Sequence, residues 1–367
     1  MNVFNIVAKL SNQLKTIFYM KKRNLFTMIL SVAAITALIF AAACTKEGPQ
    51  GPPGKDGVDG EDGINGTDGT AVCSTCHDNS EGVETKIGQW EKSFHATSGL
   101  QFENRTTCAP CHTSQGFKEA LAIDSSATLA PIEDPANINC YTCHKVHDTY
   151  TAADWALRVT EPSPFWLTGE TADLGKANLC IKCHQERTSY AIPDVNNPEG
   201  TYTVTSTRFG PHYGVQGTSV SGIGFYKVGD GYMNSAHSSI EDACINCHMA
   251  SAVGYATGGH TWVMEDEEEG LNTNGCIACH TAAEAEDLKA ELELEIADLE
   301  AQLGTLLEAA GIYNPAGTSG YAVKGDYTNK VAGAFWNMMC VHSDGSGGVH
   351  NPKFIKKVLE NSIADLP

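Results

Sequence analysis

The chain has 367 residues, a formal net charge of −20 and 14 cysteines, and 42% of its residues are hydrophobic. That length allows one to three domains. The acidic balance argues against a nucleic-acid partner and suits basic or electron-carrying partners.

In chain order, Met20 is followed by "KKR" and then by an apolar run, residues 25–43, that ends "FAAAC". A positive start, an apolar stretch and small residues before a break read as a secretory signal over 1–43 with its true start at Met20. An uncleaved membrane anchor is the alternative. The small residues directly before Cys44 resemble a bacterial lipobox, although Ala41 stands where a larger aliphatic residue is usual. In that reading Cys44 is the acylated N-terminus, and several acyl chains together anchor stably at about 0.8 kcal/mol per buried CH₂.

Residues 44–70 follow as a spacer. Glycine recurs at every third position from Gly48 to Gly69, eight times, with only three prolines. This is the collagen period. So few prolines make a weak triple helix, and an extended solvated stalk is the plainer reading, reaching up to about 70 Å at roughly 3.1 Å per residue.

From 71 to 367 the chain carries six Cys-x-x-Cys-His units. The first is Cys73, Cys76 and His77; the second is Cys108, Cys111 and His112; the third is Cys140, Cys143 and His144. The fourth is Cys180, Cys183 and His184; the fifth is Cys244, Cys247 and His248; the sixth is Cys276, Cys279 and His280. Gly, Pro, Asn and Thr crowd the segments between them, and sustained periodicity is scarce. The long interval 185–243, with its "TYTVTSTRFG", predicts a short hairpin plus loops. The acidic run Glu265–Glu269 reads as a solvated loop. One clear helix is predicted over about 282–309, where Leu288, Leu292, Ile296, Leu299, Leu303 and Leu306 recur at spacings of three and four. Its stripe packs on its own domain, with an intersubunit helix pair in a homo-oligomer as the alternative.

The motif defines the chemistry. Two thiols one helical turn apart add across the two vinyl groups of one porphyrin, and the adjacent histidine meets the iron as proximal ligand. Zinc sites need no histidine fixed at that place, and two-residue spacing repeated six times is a poor disulfide framework. Six c-type haems are therefore expected. They would also supply the core that the sequence lacks, so that the apo-protein is largely unfolded.

Each iron has a sixth position. Of the 13 histidines, six are proximal and seven are spare: His95, His147, His212, His237, His260, His342 and His350. The supply matches the demand. His147 lies three residues after His144 in "CYTCHKVH"; if the chain continues helically they share a face, so His147 should serve a neighbouring haem. His212, His260 and His350 sit beside glycines that allow close approach to a ring. His342 has no such setting and ranks last. Cys340, Met338 and Met339 read as ordinary packing.

These residues resemble the multihaem cytochrome c superfamily that includes pentahaem nitrite reductase and related electron-transfer cytochromes. The resemblance covers most of 73–367 and is clearest in "HSSIEDACINCHM", "GGHTW", "CIACH", the acidic helix and "SGGVHNPKFIKKVLENS". It implies distal roles for His237, His260 and His350, and a fold that is mainly α with much irregular loop, little β and a haem core. The "CYTCHKVH" segment is similar to that of electron-conducting multihaem cytochromes, including filament-forming ones. The nitrite reductases carry one Cys-x-x-Cys-Lys haem with an open site, whereas all six motifs here end in His.

The expected protein is thus a lipid-anchored, extracytoplasmic hexahaem relay at the outer membrane. Its partners would be other cytochromes or redox proteins and a terminal electron acceptor. A reductase of nitrite, hydroxylamine or a sulfur oxyanion, and a subunit of a conductive filament, are the alternatives.

Overall fold

The long helix begins where its capping chemistry says it should. Thr281 accepts from the backbone N–H of Glu284, and the Glu284 side chain reaches back to Thr281, a reciprocal cap that satisfies two orphan donors. In this computed structural model, which describes residues 81–318 and 320–367, the helix runs Ala282–Ala309. The signal segment, Cys44 and the spacer lie outside the described residues. So does the whole first motif: Cys73, Cys76 and His77 were expected to hold a haem, and that expectation falls on residues the structure does not describe.

Five longer helices organise the rest: α1 (Glu81–Lys92), α2 (Ser114–Ile123), α3 (Ala282–Ala309), α4 (Asn329–Asp344) and α5 (Pro352–Asp365). Thr113 caps α2 and Thr328 caps α4, each accepting from a backbone N–H. Pro352 opens α5, where its missing N–H costs nothing. Strand content is small: β1 (Thr201–Val204) pairs antiparallel with β2 (Gly325–Thr328), besides two two-residue ladders. The fold is mainly α, with irregular loops between the helices.

Three expectations change here. The stretch 201–204 forms no local hairpin, because its partner lies more than 120 residues away. The acidic run is not merely solvated. Glu269 accepts from the backbone N–H groups of Tyr255, Ala256 and Thr257, and Glu265 pairs with Lys289 of α3 at 2.8 Å. The C-terminal third also has a conventional core. Ile296, Leu303 and Leu307 of α3, Phe335, Trp336 and Cys340 of α4 and Ile355 and Leu359 of α5 are all buried there. At about 1.5–3 kcal/mol per large apolar side chain this bundle is a sizeable source of stability without any cofactor. The α3 stripe faces this core, so it packs on its own domain, while Leu288 and Leu294 remain exposed. Cys340, Met338 and Met339 are core residues.

The loops hold the motifs. Five motif histidines fall among the described residues, each at the end of one tight turn. In four of them the histidine N–H donates to the carbonyl of the first cysteine, at 2.8–3.1 Å: His112 to Cys108, His144 to Cys140, His184 to Cys180 and His280 to Cys276. His248 ends the short helix Ala243–His248. One α-turn therefore sets two thiols and an imidazole side by side in each case.

Candidate haem sites

All ten motif cysteines among the described residues are free thiols, the form that thioether attachment requires. Cys111, Cys140 and Cys279 are exposed, and Cys108, Cys143, Cys180, Cys183, Cys244, Cys247 and Cys276 are half-buried. In the sixth motif the N–H of Cys279 donates to the Cys276 carbonyl at 3.0 Å, which closes the turn that carries both thiols.

The spare histidines come to the motif histidines in pairs. Ring centroids of His95 and His184 lie 6.1 Å apart, His112 and His212 6.3 Å, His237 and His280 6.4 Å, and His248 and His350 6.1 Å. A metal–nitrogen bond of about 2.0 Å plus about 1.1 Å to the ring centre would place two imidazoles that share one iron from opposite sides about 6.2 Å apart. A direct hydrogen bond between the rings would bring them closer. His260 stands near enough to His144 for that imidazole to depress its pKa. Each pair joins a motif histidine to one outside the motifs, and the donor set fits a haem iron.

The outer nitrogens are committed elsewhere. Nδ1–H of His144 donates to the Trp155 carbonyl at 2.6 Å, that of His184 to Gln216 Oε1 at 2.7 Å, and that of His237 to the Val349 carbonyl at 2.6 Å. His248 donates to the Trp262 carbonyl at 2.8 Å and His350 to Asp344 Oδ1 at 2.7 Å. These partners fix the tautomer and leave Nε2 as the ligand nitrogen. Burial also keeps the rings neutral, the form that binds metal. His95, His212 and His260 are pulled down to about 4, burial being the largest cause; a motif imidazole adds to it in each, and for His212 the Arg187 guanidinium adds more. His350 is the exception: burial pulls it down, yet the Asp344 carboxylate outweighs this and leaves its pKa raised.

Apolar side chains border these pairs at the surface. Phe94 beside His95, Tyr213 beside His212 and Ile277 within the last motif are 70%, 66% and 58% exposed, which is the kind of surface a porphyrin buries.

His147 is placed differently from the expectation. The helical turn Cys140–Cys143 ends at once, His144 is extended and His147 takes a left-handed φ of 62°. The chain does not continue helically because Lys145 N–H and Arg158 N–H bond across to Ala156 and Cys143, which pulls it into a bridge with residues 156–158. The His147 ring stacks on Tyr150 at 5.4 Å, and its Nδ1 shares a 2.7 Å hydrogen bond with the Tyr141 hydroxyl. His342 is half exposed, 4.0 Å from Glu300 and edge-on to Tyr321.

The motifs also touch one another. Cys183 Sγ lies 3.6 Å from the carbonyl of Pro110, inside the Cys108–Cys111 loop. Ser114 and Thr142 link the second and third motifs at 2.8 Å, and Lys176 and Asp242 link the fourth and fifth at 2.6 Å. Gly275, next to Cys276, packs so closely on Cys247 that an added Cβ would fall 2.8 Å from its Cα. Sequence reasoning missed the partners Asp344, Gln216 and Trp262. Only Asp344, a carboxylate six residues before His350 with glycines between, leaves a local signal.

Residues 230–366 match the family model of cytochrome c552. That match and the six Cys-x-x-Cys-His motifs together support a likeness to multihaem c-type cytochromes, in which haem is bound covalently. Among solved structures the chain is similar to the crystal structure of the outer cell wall cytochrome OcwA, with a TM-score of 0.47 and 19% identity over 76% of this chain and 49% of that one. The chain thus spans about half the length of that protein. No curated protein matches the sequence.

Proposed function

We propose that the chain relays electrons through six covalently bound bis-histidine haems. The observation that carries this reading is the set of four ring pairs at 6.1–6.4 Å, each matching a spare histidine to a motif histidine. On this reading His212 is the distal ligand to the haem of Cys108, Cys111 and His112, and His260 to that of Cys140, Cys143 and His144. His95 serves the haem of Cys180, Cys183 and His184, and His350 that of Cys244, Cys247 and His248. His237 serves the haem of Cys276, Cys279 and His280. His147 ligates a neighbouring haem. Every iron is then six-coordinate, and a bis-imidazole iron rearranges little on redox change, which suits relay. The motif-to-motif contacts support close haem neighbours.

The protein works outside the cytoplasm, held to the outer membrane through Cys44 and extended on its glycine-rich stalk, between donor redox proteins and a terminal acceptor. The sequence of residues 20–69 supports this placement.

The test is a haem count by pyridine haemochrome, paired with a reductive titration and turnover assays on nitrite, hydroxylamine and sulfite. Six haems, six electrons and no turnover are expected. Turnover of any of the three substrates at enzymatic rates would replace relay with catalysis. For His147, H147M should move one haem potential upward with the covalent count still six, and an unchanged titration would reject its role.

A further inference from the structure

Trp262 touches histidines that belong to three different motif sites. Its indole meets His95 edge-on, with ring centroids 4.9 Å apart at 76°, and meets His260 at 5.5 Å and 67°. Its carbonyl accepts Nδ1–H of His248 at 2.8 Å. Under the axial pairs proposed above, His95 is the distal ligand of the haem on Cys180 and Cys183. His260 is the distal ligand of the haem on Cys140 and Cys143, and His248 the proximal ligand of the haem on Cys244 and Cys247.

The backbone makes the choice of residue informative. Trp262 ends the turn Gly259–Thr261 with φ 57° and ψ 8°, a left-handed step. A bulky residue is disfavoured there, whereas glycine is free to adopt it. Gly258 and Gly259 just before it take positive φ without strain. The left-handed step aims the carbonyl at His248, and glycine would do that as well. What the indole adds is its packing, which includes two imidazoles.

We infer that Trp262 is a positioning residue for three haems at once. Its carbonyl sets the rotation and tautomer of His248, and its ring edges restrict the rotation of His95 and His260 about their metal–nitrogen bonds. Partners beyond the ligand tune a metal by this route. Three neighbouring haems of the relay are thereby referenced to one residue, two through its side chain and one through its carbonyl. This inference rests on the axial pairs proposed above.

The test compares W262G and W262F as full-length haem-loaded protein, by electron paramagnetic resonance and potentiometric titration. W262G keeps the backbone step and the carbonyl and removes the ring. It should shift two low-spin signals, the same two that H95M and H260M abolish, and leave the other four in place. Water reaching those ligands should lower both potentials by about 59 mV, a tenfold change in a one-electron equilibrium. W262F keeps an aromatic edge and should restore both signals and potentials. A W262G spectrum and titration identical to wild type would overturn the inference, and so would a shift of all six signals that W262F fails to rescue. A high-spin haem already present in the wild type would overturn the axial pairs beneath it, so the two failures are distinguishable.

Discussion

Asp344 offers the sharpest test of how this chain tunes an iron. Its carboxylate is 2% exposed, accepts Nδ1–H of His350 at 2.7 Å through Oδ1, and takes a hydrogen bond from Ser346 on its other oxygen. The Asp344→Asn variant keeps an acceptor of the same size and removes only the charge. The contact distance, the width of an imidazole and a metal–nitrogen bond together place that charge about 7 Å from an iron on Nε2. At an effective dielectric of about 20, one unit charge at about 7 Å is worth about 2.4 kcal/mol. That corresponds to about 100 mV for one electron. The negative charge favours the ferric state, so D344N should raise one haem potential by about 50–100 mV and leave five where they were. The assay is a spectropotentiometric titration with the low-spin signals followed individually. The wild-type haem on Cys244 and Cys247 should also lie below that on Cys180 and Cys183, whose His184 has only the neutral Gln216 as acceptor. A titration in which no haem moves by more than about 20 mV, or all six move alike, would refute the reasoning.

Two further outcomes follow from the spare groups on α3 and α4. Burial, with the charge of Asp344 adding to it, raises Glu300 to about 7. Between the ordinary carboxylate value of 4.5 and 7 the folded state holds a proton that the unfolded state has lost, so stability falls as pH rises through that window. Glu300→Gln should remove the slope and stabilise the protein at pH 8 by about 1–3 kcal/mol; denaturant midpoints that stay parallel for both proteins from pH 5 to pH 8 would contradict this. His342 stands against Tyr321 and Glu300, away from the motif histidines described, so H342A should leave the haem count, visible spectrum and all potentials unchanged. Loss of a low-spin signal in that variant would return His342 to the ligand set.

The motifs themselves were legible because their chemistry is local. Two thiols and an imidazole within five residues are placed by one turn, and the apolar stripe likewise placed α3, which the Thr281–Glu284 cap opens. Within the apolar stripe the end was less sharp: Leu307 is fully buried, whereas Leu306 packs only partly against the core. Long-range partners were not legible. His237 meets His280 across 43 residues and His95 meets His184 across 89, and no spacing rule records such encounters. The same holds for β1, whose alternation was visible but whose partner strand was not. The backbone bridge that turns the chain after His144 depends on Arg158 and Ala156, fourteen and twelve residues on, so a helical continuation was the natural local expectation.

Whether six haems have both axial positions filled by histidine is decided by electron paramagnetic resonance of the fully oxidised protein, with spin integration against a measured haem count. Low-spin ferric signals alone are expected, summing to six haems per chain. A high-spin signal that integrates to one haem, or a total below six, would contradict this.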